Sequence, residues 1–273
     1  MRLALIQLAV TASKETNLAN ARKKVLEAAS KGASIVVLPE CFNSPYGTSF
    51  FPKYAEPLEN GPSSAALSQM AKDGGVFLIG GSFPETGPNS KFYNTCTIWG
   101  PNGDRLGVHR KVHLFDIDIP GKQTFKESSV LSAGSEITMF DTPVGKVGVG
   151  ICYDIRFPEM AMIAARKGCI AMIYPGAFNM TTGPLHWELL QRARAIDNQM
   201  YVAACSPARD TTASYVAWGH SSVVDPMGVV VAKLDEKEDI AYAELDIEFL
   251  QTSRENIPVN NQRRFDVYSN VAQ

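Results

Sequence analysis

The residue best placed to do chemistry is Cys152, which follows a predicted strand and precedes a predicted helix. Residues 146–151 are rich in β-forming side chains, and residues 158–168 have helical character. A thiol at such a turn lies at the carboxyl edge of a sheet, where open α/β folds build their sites. Because a free cysteine is more often a buried apolar filler, a nucleophilic role also requires a nearby base and a cation.

Two other predicted strand ends supply that base and that cation. Residues 35–38 form an apolar run that Pro39 ends and Glu40 follows, and the strand predicted over 105–111 ends at Lys111. Alone, each charge is more often a solvated surface group. Together, a carboxylate, an ammonium and a thiol that converge on one point can attack a carboxamide and stabilise the resulting oxyanion.

These three segments resemble the Glu-Lys-Cys motifs of the nitrilase superfamily. The matching runs are Leu-Pro-Glu at Glu40, His-Arg-Lys-Val-His-Leu-Phe around Lys111, and Gly-Ile-Cys-Tyr-Asp-Ile-Arg-Phe-Pro-Glu around Cys152, and the likeness extends over about residues 2–268. The resemblance implies an α/β fold, a four-layer α-β-β-α sandwich, and a hydrolase of carbon-nitrogen bonds that uses no metal or organic cofactor.

Within the superfamily the chain is most similar to the omega-amidases, whose hallmarks match residues 39–47, 113–121 and 174–184. That similarity implies hydrolysis of the terminal carboxamide of short dicarboxylate monoamides, such as 2-oxoglutaramate and 2-oxosuccinamate, through a thioester. Deaminated-glutathione amidases usually have Ser-Ala-Phe-Gly where this chain has Gly176-Ala-Phe-Asn179. They are the first alternative, followed by a carbamoylase or a nitrilase. A catalytically silent binding protein on the same scaffold is the alternative from another class.

The resemblance also implies roles for individual residues. Cys152 is the nucleophile and Glu40 accepts its proton, while Lys111 and the backbone N–H of Tyr153 stabilise the oxyanion. Glu127 lies where the family often has a second glutamate, which predicts that it orients Lys111 or the substrate. The alternative for Glu127 is an exposed loop carboxylate.

Other polar residues lie close to these motifs in the sequence. For Asp154 and Arg156, beside the cysteine, we expect a structural ion pair that clamps the turn, with direct substrate contact as the second interpretation. The far carboxylate of the substrate requires Arg, hydroxyl or amide donors. The candidates, each with ordinary loop solvation as its alternative, are Tyr46, Tyr153, Asn179, Thr181 and Arg209.

The elements that position these residues repeat in the two halves of the chain. A strand-helix-strand-helix-strand order is predicted over 3–10, 15–30, 35–40, 63–72 and 76–83, and again over 146–152, 158–167, 170–175, 185–198 and 200–207. Antiparallel strands follow each half, at 92–99 and 105–111 and at 219–224, 229–234 and 240–245. This order predicts two mixed sheets packed face to face, and a single doubly wound sheet is the structural alternative.

Composition narrows the class of protein and its partners. We predict a single domain over the 273 residues, and the net charge of −2 gives no reason to expect nucleic acid or a membrane as partner. No apolar run is long enough to span a membrane. Five scattered cysteines without a pairing or Cys-x-x-Cys pattern favour a reducing compartment, so we expect a cytoplasmic protein, with a mitochondrial fraction as the alternative.

We also expect a homodimer, which is common in the resembled family. The helix predicted over 185–198 offers Trp187, Leu190 and Ala193 beside Arg192 and Arg194, a mixture typical of interfaces. The tail over about 257–273 has too little periodicity to fold alone, which predicts that a partner subunit holds it. The alternative is that both segments pack only within their own chain.

Overall fold

Two mixed β-sheets and a separate hairpin organise residues 1–121 and 123–273, the part of the chain that the computed structural model describes. In chain order the strands are β1 (Arg2–Gln7), β2 (Ile35–Val37), β3 (Phe77–Ile79), β4 (Phe83–Thr86), β5 (Phe92–Trp99), β6 (Arg105–Arg110), β7 (Asp116–Ile119), β8 (Gln123–Lys126), β9 (Thr138–Thr142), β10 (Gly145–Val149), β11 (Cys169–Pro175), β12 (Tyr201–Cys205), β13 (Ser222–Val224), β14 (Val230–Lys233) and β15 (Asp239–Glu244). The first sheet has the order β15-β1-β2-β3-β5-β4 with β6 beside β5, and the second has the order β14-β13-β12-β11-β10-β9.

The two sheets share one pattern of strand direction. In the first, β1, β2 and β3 are parallel, and in the second, β10, β11 and β12 are parallel, while antiparallel strands flank both parallel groups. Parallel neighbours require crossover connections, which the intervening helices provide. The repeated strand-helix order that the sequence predicts is therefore confirmed.

Helices cover the outer faces of both sheets. In chain order they are α1 (Lys14–Ser30), α2 (Phe51–Tyr54), α3 (Pro62–Gly74), α4 (Pro158–Arg166), α5 (Gly183–Asn198) and α6 (Ile247–Asn256). The hydroxyl of Ser13 accepts a hydrogen bond from the Thr16 N–H at the start of α1, and α3 ends at Gly75 in the left-handed conformation. These signals mark the start of α1 and the end of α3, the two helices on the first sheet.

The alternation of side chains along β1 defines the layers. Leu5 packs in a core cluster with Val149 of the second sheet, whereas its neighbour Ile6 packs in another cluster with Val25 of α1. One face of the first sheet therefore contacts the second sheet and the other contacts helices. The four-layer sandwich is confirmed, and the single doubly wound sheet is wrong.

Strand ends differ from the prediction where the chain turns toward the shared edge. β2 ends at Val37, so Glu40 lies in the following turn, and β10 ends at Val149, so Cys152 begins a short 3-10 turn over Cys152–Arg156. The strand predicted over 76–83 is two strands, because Gly81 breaks it with a φ of +63°. The hairpin of β7 and β8, strand β9 and helices α2 and α6 were not predicted.

Helix α5 presents a different face to solvent from the one that we expected. Trp187 is buried against Phe178, at a ring centroid distance of 5.1 Å, and the Arg194 guanidinium donates to the carbonyl of Ile155 at 3.0 Å. These two residues lie on the inward face of the helix, so their assignment to a subunit interface is wrong. The outward face instead exposes Leu185 and Leu189, by 61% and 62%.

The C-terminal tail lies against the end of α5 in the same chain. The Gln199 side-chain amide donates to the Ile257 carbonyl at 2.6 Å, and the Arg263 guanidinium donates to the Asp197 carbonyl at 2.7 Å. The association of residues 257–273 with a partner subunit stays a prediction. Across the described ranges, no helix combines the length and the apolar character that a membrane span requires.

We expect Gly81→Ala to destabilise the protein by about 3 kcal/mol or more. The alanine would have to keep the left-handed backbone conformation of Gly81, and its Cβ atom would also overlap the Pro39 carbonyl oxygen. Gly32 is the matched control, since it also has a positive φ, of +83°, but no described atom lies within 4 Å of its added Cβ. Gly32→Ala should therefore cost only about 1–2 kcal/mol. Urea denaturation measures both, and equal losses would contradict the overlap.

Candidate active site

A buried cluster of three charges lies at the shared edge of the two sheets. The Lys111 Nζ atom lies 3.0 Å from Glu40 Oε1 and 3.0 Å from Glu127 Oε2, and none of the three side chains is exposed to solvent. Lys111 follows β6, Glu40 lies in the turn after β2, and Glu127 follows β8. Glu127 is therefore not the exposed loop carboxylate that was its alternative.

Hydrogen bonds fix each carboxylate of the cluster. Glu40 accepts from the side-chain amide of Asn94 at 2.8 Å and from the backbone N–H of Ala177 at 2.8 Å. Glu127 accepts from the backbone N–H of Phe115 at 2.7 Å and from the Tyr46 hydroxyl at 3.3 Å. Because buried carboxylates need donors on their oxygens, these contacts hold both groups in one orientation.

Three of these donors, Asn94 and the backbone N–H groups of Ala177 and Phe115, were missed from the sequence. Asn94 is a polar residue in a strand that is apolar or aromatic at several positions, and this placement was the available signal in the sequence. The structure shows that Asn94 is buried. Ala177 and Phe115 act through their backbones, and no residue type marks such a donor.

Cys152 lies next to this cluster at a strained turn. Its φ is +48°, which is uncommon for a residue with a side chain, and it is 4% exposed. Burial and the negative charge of Glu40 raise the pKa of its thiol well above the usual range, while Lys111 and the Ala177 N–H act in the opposite direction. The Lys111 ammonium favours the thiolate but is outweighed, so the resting side chain is a thiol.

The charges of the cluster determine which of its groups carry a proton. Burial raises the pKa of Glu40, Glu127 raises it further, and Lys111 opposes both effects. Burial opposes the charge on Lys111, but Glu127 and Glu40 raise its pKa well above the usual range. Lys111 therefore stays an ammonium, and Glu40 is a carboxylate with increased affinity for a proton.

Asp154 joins the cysteine turn to the segment after Lys111. Its carboxylate contacts His109 Nε2 at 3.0 Å and His113 Nδ1 at 2.8 Å, and it accepts from the backbone N–H of Ile151 at 2.9 Å. Although burial raises the pKa of Asp154, the hydrogen bonds from the two histidines lower it far below its usual range. The ion pair expected between Asp154 and Arg156 is wrong, because the Asp154 side chain turns back toward its own turn and the histidines.

Arg156 instead lies among aromatic rings. Its guanidinium carbon lies 4.8 Å from the Phe178 ring centroid and 5.5 Å from that of Tyr153, and one terminal nitrogen contacts His186 Nδ1 at 3.2 Å. Within residues 1–121 and 123–273, no carboxylate forms an ion pair with it, and its Nε atom is buried without a hydrogen-bond partner. Burial lowers the pKa of Arg156, with the nearby Cys152 acting in the opposite direction.

Three of the other predicted substrate-binding residues, Tyr46, Tyr153 and Asn179, have different surroundings. Tyr46 contacts the cluster through Glu127. In the described ranges, the Tyr153 backbone N–H has no backbone carbonyl partner outside its own 3-10 turn. Asn179 accepts from the N–H groups of Thr181 and Thr182 and thereby organises the turn before α5. That contact gives Asn179 a local structural role.

Arg209 lies in a separate environment. Its guanidinium stacks on Trp218 at 4.7 Å and donates to the Trp218 carbonyl at 2.7 Å. In the described part of the chain it makes no ion pair or hydrogen bond with Glu40, Lys111 or Cys152. The same described ranges contain no group of three or more His, Cys, Asp or Glu side chains arranged to hold a metal ion.

Comparison with known proteins places this geometry in context. The sequence matches the carbon-nitrogen hydrolase family over residues 2–255. It is 59% identical over 268 residues to omega-amidase NIT2 of Danio rerio, which covers 98% of this chain and 96% of that protein, and 56% identical over the same shares to omega-amidase NIT2 of Homo sapiens. The crystal structure of Saccharomyces cerevisiae Nit3, a member of branch 10 of the nitrilase superfamily, matches with a TM-score of 0.90 and 49% identity over 97% of each chain.

The raised pKa of the Cys152 thiol predicts a pH profile for alkylation. We expect iodoacetamide to modify Cys152 with a midpoint above the ordinary thiol value of about 8.5. Glu40→Gln should shift that midpoint to lower pH, because it removes a neighbouring negative charge and leaves the Lys111 ammonium in place. Peptide mass spectrometry reports the modification at this residue, and the exposed Glu244→Gln is the control. An unchanged or higher midpoint in Glu40→Gln would refute the charge effect.

Proposed function

Because the chain belongs to the carbon-nitrogen hydrolase family, we propose that it is an omega-amidase that acts on the terminal carboxamide of short dicarboxylate monoamides. As a family member it is an enzyme that hydrolyses a carbon-nitrogen bond of a small-molecule amide. The names of the relatives at 56–59% identity support the narrower assignment. The observation that carries it is a thiol beside a buried Glu-Lys-Glu cluster, with an unpaired guanidinium close by.

In the first step Cys152 attacks the amide carbonyl and Glu40 accepts the thiol proton. The neutral resting thiol makes this transfer necessary, and the raised pKa of Glu40 makes the carboxylate a better acceptor than an exposed one. Proton transfer of this kind contributes about 10²–10⁴ in rate. The thiol is therefore ionised only as it attacks.

The charge that develops on the carbonyl oxygen needs fixed donors. The Lys111 ammonium and the Tyr153 backbone N–H supply them in this proposal, and one such donor contributes about 3–4 kcal/mol to lowering the barrier. Lys111 cannot swing away, because both carboxylates hold its Nζ atom at 3.0 Å. Glu127 thus acts on the reaction through the position and charge of Lys111.

The reaction is completed at the same carboxyl group. Glu40 returns its proton to the departing nitrogen, the C–N bond breaks, and ammonia leaves behind a thioester on Cys152. Glu40 then takes a proton from water as the water oxygen attacks, the C–S bond breaks, and the thiol recovers the proton. The sum is amide plus water giving carboxylic acid and ammonia.

Arg156 is proposed to bind the far carboxylate of the substrate. A partly buried guanidinium without a carboxylate partner is costly, and a substrate carboxylate would satisfy it with two parallel hydrogen bonds. Arg156 ends the same 3-10 turn that Cys152 begins, and the nearby Cys152 acts on the pKa of its guanidinium. Such an anchor suits a short diacid monoamide, in which a few carbon atoms separate the carboxylate from the carboxamide.

Gly176 bears on the choice between substrates. A Cβ atom at this position would lie 3.1 Å from the Cys152 Cα atom and 3.2 Å from the Trp187 ring. The serine that deaminated-glutathione amidases usually have there would crowd the nucleophile in this chain. This close approach supports the omega-amidase assignment over that alternative. The buried charges beside an intact thiol argue against a silent binding protein, because such a cluster is costly to keep without a use.

Cys152→Ala and Cys152→Ser should each abolish ammonia release from 2-oxoglutaramate, because the first lacks a nucleophile and the second has a hydroxyl that Glu40 cannot readily ionise. Retention of even a tenth of wild-type turnover, a loss of only about 1.4 kcal/mol, would remove Cys152 as nucleophile. Cys169→Ala is the control, since that thiol is also buried but lies at the start of β11. Parallel assays with deaminated glutathione decide between the two substrate classes.

Arg156→Met should lower kcat/KM for 2-oxoglutaramate by roughly a hundredfold, or about 3 kcal/mol, by removing the partner of the far carboxylate. Butyramide lacks that carboxylate, so its slow turnover should change little. Arg209→Met is the matched control, because its guanidinium is held against Trp218. Equal losses with both substrates would show that Arg156 supports the turn and does not select the substrate.

We also propose a homodimer formed through the outward face of α5, in a protein that resides in the cytoplasm. Leu185, Leu189 and Ile196 of α5 are exposed by 61%, 62% and 50%. They lie beside exposed Val229 and Val231, because the Arg192 guanidinium bonds the Gly228 carbonyl and holds the two segments together. Exposed apolar side chains grouped in this way are typical of an interaction surface.

Light scattering at micromolar concentration should give twice the chain mass of 29.7 kDa. Leu189→Asp should convert the dimer to the monomer by placing a charge in the apolar patch. Leu106→Asp changes an exposed leucine elsewhere, 43% accessible, and should leave the mass unchanged. A wild-type mass near 29.7 kDa would overturn the dimer.

A further inference from the structure

A second feature of the site is a cavity of about 300 Å³ that borders Glu40. The loops that follow β1, β2 and β12 line it, and its mouth is formed by exposed residues that include Thr11, Asp210 and Thr212. Glu40, which also belongs to the lining, is fully buried and lies on the inner side of the cavity. Among the described residues, the lining does not include Arg156 or Phe178. The cavity therefore reaches the proton acceptor without passing the guanidinium assigned to the substrate carboxylate.

The cavity is lined mostly by apolar side chains, and the charged groups in its lining are anionic. Its lining contains the carboxylates of Glu40 and Asp210, and no Lys or Arg of the described chain belongs to it. Hydrogen bonds from the Thr212 hydroxyl and N–H lower the pKa of Asp210, which keeps it ionised. Ser44 also lines the cavity, and its hydroxyl is buried without a partner in the described ranges. These groups repel a dicarboxylate and attract a small cation or hydrogen-bonding molecule.

We propose that this cavity is the path by which the leaving nitrogen departs, as ammonia at Glu40 and as ammonium at the Asp210 mouth. This inference rests on the proposed function, since it takes a carboxamide as the substrate. When the C–N bond breaks, Glu40 gives its proton to the nitrogen, so ammonia forms at the inner end of the cavity. It gains a further proton from solvent on the way out. The acyl group of the substrate, which carries the far carboxylate, stays behind as the thioester until water releases it as the acid.

The reverse passage gives a direct assay. Ammonia that re-enters attacks the thioester carbonyl, the C–S bond breaks, and the amide re-forms with the new nitrogen while the thiol recovers a proton. In ¹⁵N-ammonium buffer, unreacted 2-oxoglutaramate should acquire ¹⁵N during turnover. Mass spectrometry gives the ratio of labelled amide to acid formed, and this ratio reports access of ammonium, independently of how fast the thioester is made.

Two variants change the charge of the mouth without touching the cluster. Ala213→Lys adds a cation at an exposed lining position and keeps the Asp210 turn, and Asp210→Asn removes the carboxylate charge. Each should lower the labelling ratio by about threefold or more, because the mouth then attracts ammonium less. Glu255→Lys, an exposed charge reversal in α6, is the control and should keep the wild-type ratio.

The outcomes distinguish an exit path for ammonia from an entrance for the substrate. If the cavity admits the substrate instead, Ala213→Lys should lower the KM of the anionic 2-oxoglutaramate and leave the labelling ratio unchanged, which overturns the proposal. Hydrolysis without labelling in the wild-type enzyme at high ammonium also overturns it. If 2-oxoglutaramate is not hydrolysed, the omega-amidase assignment fails. The same ratio measured with deaminated glutathione then tests the path on its own.

Discussion

The Lys111 ammonium, buried between the carboxylates of Glu40 and Glu127, is the interaction on which the rest of the site depends. Moving one such ion from water to a dry interior costs several kcal/mol even after relaxation, and attraction offsets this cost only when the geometry and hydrogen bonding are complete. Backbone N–H groups of Ala177 and Phe115 complete that bonding here. The two sheets and the β7–β8 hairpin must therefore meet in one arrangement, because each contributes a donor or a charge to the same cluster.

The same cluster explains why a buried thiol can be useful. Burial keeps Cys152 protonated at rest, so it does not carry a costly isolated charge, and the nearby Glu40 provides the means to remove the proton when a substrate arrives. Asp154 couples this turn to β6, the strand that precedes Lys111, because it bonds both the Ile151 N–H and the ring of His109 in β6. The nucleophile and the cation come from different sheets, yet one carboxylate fixes the distance between their segments.

Much of this arrangement was predictable from local sequence patterns, and the exceptions have physical causes. Hydrophobic patterns predicted both parallel sheet cores, and the four-layer fold followed from the resemblance and the repeat of the two halves. The β7–β8 hairpin was missed because each of its strands has only four residues and the inward positions are only partly buried. The Asp154–Arg156 ion pair was wrong, because proximity in sequence does not give the direction in which side chains leave a 3-10 turn. The unpaired state of Arg156 depends on what every distant carboxylate contacts, and only the folded structure supplies that information.

The pairing of the first and last strands has a consequence for how the protein is made. β1 lies between β2 and β15, with Arg2 opposite Glu244, and the N-terminal amino group bonds the Leu245 carbonyl at 3.2 Å. A ribosome releases β1 long before β15, so one edge of β1 stays open while the chain between these two strands is made. An open apolar strand edge is a site of mispairing between nascent chains. The first sheet closes only after β15 has been released, so the pairing of β15 with β1 ends this exposure.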